Sequence, residues 1–129
     1  PAEQTLARRA VASPHWRWMP GMLVHDIGTS RIGRVHKAGR GWIVYYGLTS
    51  EARFRRDTTG IGLTTDLSDP PTLGCLLALV REAWGDPYAF VEADPLLGFR
   101  VVGNINDGPI TGWHSTEAEA LVAALEAAS

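Results

Sequence analysis

Residues 32–46 read IGRVHKAGRGWIVYY, and whether they fold as a hairpin or a helix decides the class of the protein. Trp42, Val44 and Tyr46 alternate with Ile43 and Tyr45, a period of two that puts the two sets on opposite faces of a strand. Between Lys37 and Trp42 stands Ala38-Gly39-Arg40-Gly41, whose glycines supply the positive φ that a tight connection needs. Ile32 to Lys37 and Trp42 to Tyr46 therefore read as two antiparallel strands, and sheet is the organising structure of this half of the chain.

The same texture of short runs and glycine-bearing turns extends from Gly21 to Asp66. Met22 to Ile27 and Ala52 to Arg56 are the further strand candidates, joined through Gly28-Thr29-Ser30 and Gly47-Leu48-Thr49-Ser50. In the last of them Phe54 alternates with Arg53 and Arg55, so Phe54 is expected to point inward and the arginines outward. Four or five such strands in about 45 residues are too few for a sandwich and close most easily as a small meander or barrel. The stretch PGMLVHDIGTSRIGRVHKAGRGWIVYY, residues 20–46, resembles the opening of SH3-like barrels, where a first strand leads through a loop to a Gly-Arg-Val step.

Beyond the sheet, residues 66–87 read DLSDPPTLGCLLALVREAWGDP and form the strongest helix pattern in the chain. Asp69 is placed as N-cap, Pro70 as the first helical residue, and Gly85 as a left-handed stop. Leu73, Leu76, Leu77, Val80 and Trp84 are expected on its buried stripe, with Arg81 and Glu82 outside. Strands are expected at Tyr88 to Glu92, Phe99 to Ile105 and Ile110 to Trp113. A final helix, STEAEALVAALEAA, then carries a Thr116/Glu119 capping box and an apolar stripe of Leu121, Val122, Leu125 and Ala128. At the other end, Leu6, Ala7, Ala10 and Val11 have helical spacing that stops at Ser13-Pro14. The expectation is an α+β protein: an N-terminal helix over 1–12, an antiparallel SH3-like meander or barrel over 13–66, and an α-β-β-β-α unit over 67–129, with one core open to both halves.

The cadence Leu76-Leu77-Ala78-Leu79-Val80-Arg81-Glu82-Ala83-Trp84-Gly85, then Phe99-Arg100-Val101, then Thr116-Glu117-Ala118-Glu119-Ala120-Leu121, resembles small uncharacterised proteins of bacteriophages and prophages. The C-terminal part resembles the phage α-β-α sandwich domain. These are packing and capping motifs, so the resemblance implies an accessory role on a mobile element and carries no catalytic residue across.

Composition excludes several classes. The chain has 129 residues, 45% hydrophobic and 20% charged, proportions of an ordinary folded domain. Its one cysteine, Cys75, allows no internal disulfide and no cysteine-based metal cluster, and reads as a small hydrophobe. No apolar run has spanning length and the first ten residues lack a signal-type apolar stretch, so a cytoplasmic setting without membrane contact is expected. The histidines, His15, His25, His36 and His114, show no metal-ligand spacing; no metal and no cofactor are expected. His114-Ser115 with Asp107 lacks the elbow or oxyanion motif of a nucleophile set, and Gly39-Arg40-Gly41 and Gly60-Ile61-Gly62 lack the residues of a phosphate loop. No enzymatic activity is expected.

Charge distribution is the most informative quantity. Residues 1–57 hold ten basic and four acidic side chains, a net +6, whereas residues 58–129 hold two and ten, a net −8. That asymmetry points to a basic surface aimed at a polyanion, or to faces that attract each other within or between chains, including a homo-oligomer. Eleven of the twelve basic residues are arginine in a chain also rich in Ala, Gly and Pro, which GC-rich coding explains. The candidate binding surface comprises Trp16, Arg17 and Trp18 of the segment HWRWMPGM, together with Arg31, Arg34, Lys37, Arg40, Trp42, Tyr45, Arg53, Arg55 and Arg56. Cations with interleaved flat rings suit a nucleic acid, whereas paired tryptophans also serve as core plugs and arginines also guard exposed strands. The leading expectation is a non-enzymatic accessory protein that binds another protein or itself; the alternative is a nucleic-acid-binding module using the basic sheet face.

Overall fold

The computed structural model describes residues 2–47, 51–56, 62–104 and 108–129. It is an α+β protein. Helix α1 (Ala2–Ala12) precedes strands β1 (Leu23–Asp26), β2 (Arg31–Gly39), β3 (Trp42–Gly47), β4 (Ala52–Arg56) and β5 (Leu63–Thr64). Helix α2 (Pro70–Trp84), strands β6 (Phe90–Asp94) and β7 (Gly98–Val102), and helix α3 (Glu117–Ala127) follow. The first five strands form one antiparallel sheet in the order β4-β3-β2-β1-β5, and β6 and β7 form a separate hairpin. Strands β1 to β4 run as an antiparallel meander and β5 returns to pair with β1; no β4–β5 pairing closes the sheet among the described residues.

Local chemistry explains most boundaries. Gly41 takes φ +76 in the turn between β2 and β3. The Asp69 side chain accepts from the Thr72 N–H and Thr72 Oγ1, closing the N-terminus of α2, and Gly85 closes the other end with φ 60. The Thr116 hydroxyl accepts from the Glu119 N–H and donates to its carboxylate, while Ser115 donates to the same carboxylate. That is a tighter cap than the sequence pattern alone indicates. The turns expected at residues 48–50 and 60–61 lie outside the described residues.

One buried cluster takes residues from every layer: Leu6 and Ala10 of α1, Val24, Val35, Ile43 and Tyr45 of the sheet, Leu76 and Leu79 of α2, Val101 of β7, and Leu121 and Leu125 of α3. Both halves of the chain therefore share a core. Three expectations need correction. On α2 the fully buried line runs Thr72, Leu76, Leu79 and Val80; Leu73 and Leu77 are half-buried and Trp84 is at the surface, its indole N–H donating to the Ala124 carbonyl. The buried line is rotated toward Thr72 and Leu79, an outcome of tertiary packing that helical period cannot specify. Next, Ile110 to Trp113 does not form a strand; two isolated bridges flank it, Phe99 with His114 and Val102 with Pro109. Thr111 causes this, since its hydroxyl takes the Val101 N–H that a strand's backbone carbonyl would otherwise accept. The third correction, on β4, bears on the binding surface.

Candidate binding face

Strand register fixes the two faces of the sheet. Val44 lies opposite Phe54, Trp42 opposite Arg56, and Lys37 opposite Val44, so these five side chains share the face away from the core. Ile43 pairs with Arg55 and Tyr45 with Arg53, placing those arginines on the core side at the sheet edge. The expected arrangement is thus inverted: Phe54 is 59% exposed, and the Arg55 guanidinium points inward to Asp26.

Asp26 explains the inversion. Fully buried at the end of β1, it accepts from the Tyr45 hydroxyl at 2.9 Å and from Arg55 Nη1 at 2.5 Å. Burial pushes its carboxyl up, but the Tyr45 and Arg55 hydrogen bonds and the guanidinium charge outweigh that and hold it below the usual carboxylate range. Burial and the Asp26 carboxylate together push the Tyr45 phenol up. A buried carboxylate requires such partners, and β4 supplies one by turning Arg55 inward and Phe54 outward.

The candidate residues consequently divide. Tyr45 is only 1% exposed and is removed from the binding surface, because a buried ring cannot stack on a ligand. Arg17 pairs with Glu82, Arg34 with Asp69 through two hydrogen bonds, Arg53 with Glu51, and Arg55 with Asp26, so these cations already have structural partners. Arg34 also lowers the Asp69 carboxyl, and its own guanidinium is raised by the same hydrogen bonds. Arg31, Lys37, Arg40 and Arg56 are exposed and make no ion pair among the described residues.

What the structure brings together is a ring-and-cation face. Trp42 stacks on Phe54 with centroids 6.1 Å apart and planes inclined by 27°. His36 meets Tyr46 edge-on at 5.1 Å. Lys37 and Arg56 flank these rings, and β2, β3 and β4 contain no aspartate or glutamate. Tyr46, a ring interleaved with the cations in the sequence, belongs to this face, and so do Phe54 and His36, which the sequence pattern did not select as site residues. The missed signal was Asp26, the one carboxylate of the strand Leu-Val-His-Asp.

Trp16 and Trp18 take another position. They meet edge-to-face at 5.3 Å; Trp18 is 5% exposed and in the core cluster, while Trp16 packs half-buried against it. Both line a groove of about 840 Å³ between the segment after α1, the β2–β3 turn and α2. A second hollow of about 500 Å³, bordered by Trp84, Asp86, Tyr88 and Pro109, has no cation in its lining. Cys75 donates to the Pro20 carbonyl at 3.7 Å, and burial raises its thiol, a state of low reactivity. His114 exchanges backbone hydrogen bonds with Phe99, and Asp107 lies outside the described residues. Among the described residues no group of His, Cys, Asp and Glu is placed to hold a metal ion, and no helix is long and apolar enough to cross a membrane. Neither a family model nor a curated protein nor a solved structure matches the chain.

Proposed function

We propose that the protein is a non-enzymatic accessory factor that binds single-stranded nucleic acid on the outer face of β2, β3 and β4. The observation that carries this reading is the Trp42–Phe54 stack flanked by Lys37 and Arg56 on strands without any carboxylate. The exposed Phe54 and Tyr46 rings offer stacking surface to any base, unpaired cations displace counterions from phosphates, and the missing carboxylates remove repulsion. An apolar protein partner would use the rings and leave the cations idle. A nucleic-acid ligand and an unpaired Cys75 suit a reducing, cytoplasmic setting.

The test is a salt-dependent titration with an unstructured oligonucleotide. Contacts through Lys37 and Arg56 give a log-log slope of about −1.4, from ~0.7 per neutralised phosphate on a single strand. Replacing Lys37 and Arg56 with Ala together flattens it by more than one unit, whereas Phe54→Ala weakens binding by ~1 to 3 kcal/mol with the slope unchanged. Binding that is indifferent to both changes refutes the reading.

A second reading, protein binding or self-association, is favoured by the tip of the β6–β7 hairpin. There Leu96 is 94% exposed beside the exposed Leu97, with Asp94 and Glu92 close by in sequence. An apolar, acidic tip complements the basic half of a second copy. Sedimentation at low salt tests it: association that Leu96→Ser abolishes supports the contact, and a strict monomer removes it.

A further inference from the structure

We infer that the groove beside Trp16 and Trp18 is a second site, which takes one nucleotide: a flat base between the groove walls and its phosphate at Arg40. The inference goes beyond the outer-face reading, whose nucleic-acid premise it shares, and the experiment below separates the two.

Unsatisfied donors are the first reason. The Nε1–H groups of Trp16 and Trp18 are both buried and neither has a hydrogen-bond acceptor. In an edge-to-face pair only one ring presents its edge to the other's face, so at most one of these N–H groups can rest on a π system. At least one donor therefore stays unsatisfied in the free protein, a state that a native fold rarely leaves without cause. A base supplies what is missing, since its ring nitrogens and carbonyl oxygens are in-plane acceptors and its faces are apolar.

The walls give the second reason. The groove's volume of about 840 Å³ lies within the range of small-ligand sites. Leu79 and Ala83 of α2 and Ala38 of β2 line it with apolar surface. Arg17 on the tryptophan segment and Glu82 on α2 pair at 2.7 Å with side chains more than half exposed, a tie weak enough to part when a ligand reaches the indoles beneath.

The third reason is a cation without an ion pair. Arg40 lines the groove from the β2–β3 turn, is exposed, and has no ion-pair partner among the described residues. It stands between Gly39 and Gly41, and nothing lies within 4 Å of where a Cβ would project from Gly41, so the approach along the turn is open. Trp42 follows at once, its ring packed over Gly39 where any side chain would collide with it. The turn thus lines the groove while the next residue begins the outer face, and one strand can engage both.

The same chemistry is available from a free nucleotide or from the end of a strand. The probes are AMP, UMP, adenosine, ribose 5-phosphate and a single-stranded oligonucleotide, observed through the indole N–H signals in proton–nitrogen NMR. We expect AMP at millimolar concentration to move the Trp16 or Trp18 signal and leave those of Trp84 and Trp113 in place. Movement with the oligonucleotide alone also supports the site and names the strand as the source. Replacing by Phe the tryptophan that moves should weaken AMP about three- to tenfold, the worth of one hydrogen bond. Arg40→Ala should bring AMP down to the affinity of adenosine. The inference is overturned if no probe moves either indole, or if ribose 5-phosphate moves them as AMP does. A shift at Trp42 with the oligonucleotide reports only on the outer face, so either site can fail while the other stands.

Discussion

Removing Arg55 should unfold the sheet from its edge, and the size of the effect follows from Asp26. Arg55→Ala leaves Asp26 fully buried with only the neutral hydroxyls of Tyr45 and Thr29 as side-chain hydrogen-bond donors among the described residues. Breaking one side of a buried pair costs about 3 to 5 kcal/mol, mostly the desolvation of the charge left behind. The Arg55 side chain keeps 30% of its exposure, and water entering beside it moderates the loss, so about 3 kcal/mol is expected. Against a total stability of ~5 to 15 kcal/mol that is a large fraction, and it should appear as a lower urea midpoint at unchanged slope. Asp26→Asn in the Arg55→Ala background removes the stranded charge and should recover part of the loss. An Arg55→Ala midpoint equal to the parent's, or a double variant no better than the single one, would refute the account.

Acid reports the same cluster. Because the folded protein holds the Asp26 carboxyl below its ordinary value, this stabilisation is complete above the unfolded carboxyl pKa of ~4 and is lost as pH falls through the lower folded value. Asp26→Asn should therefore make stability less dependent on pH below about 4. An acid profile parallel to the parent's would detach Asp26 from the clamp.

Two further outcomes test the packing. Leu76→Ala, at a side chain with no exposure, should cost ~2 to 5 kcal/mol by denaturant unfolding, and the half-buried Leu77→Ala clearly less; equal losses would contradict the rotated stripe. Gly98→Ala should be strongly destabilising by thermal melting, because Gly98 takes φ +100 and a Cβ there would collide with the His114 carbonyl; a melting point unchanged from the parent would mean that the bridge at Phe99 is not formed.

How far the sequence could be read depended on the range of the interaction responsible. The limits of α2 were legible because Asp69, Pro70 and Gly85 act on their immediate neighbours, and the β2–β3 hairpin because Gly41 answers a local need for positive φ. The alternation in β3 also sorted Ile43 and Tyr45 from Trp42 and Val44 correctly. In β4 the same rule gave the wrong face, since ARFRR alternates equally well either way and hydrophobicity favoured Phe54 as the inward residue. The deciding partner, Asp26, lies 29 residues from Arg55, and no local pattern announces that pair. The candidate surface suffered in the same way: residue type selected Arg17, Arg34, Arg53 and Arg55, whereas their ion pairs with Glu82, Asp69, Glu51 and Asp26 depend largely on tertiary placement.

That inversion links stability to function. Turning Phe54 outward forgoes the ~1.5 to 3 kcal/mol that burying a phenylalanine contributes, and it places an apolar ring on an edge strand, where exposed surface invites aggregation. The Asp26–Tyr45–Arg55 cluster offsets this by anchoring β4 from within, leaving its outer side chains free of structural duty. Arg56 and Lys37 then keep the exposed rings soluble and supply the positive charge around them. A solvated edge with no ligand would be served as well by polar residues at 42 and 54. The stacked Trp42–Phe54 pair, held up from beneath by a buried ion pair, is the arrangement expected where aromatic surface must stay exposed to meet a base.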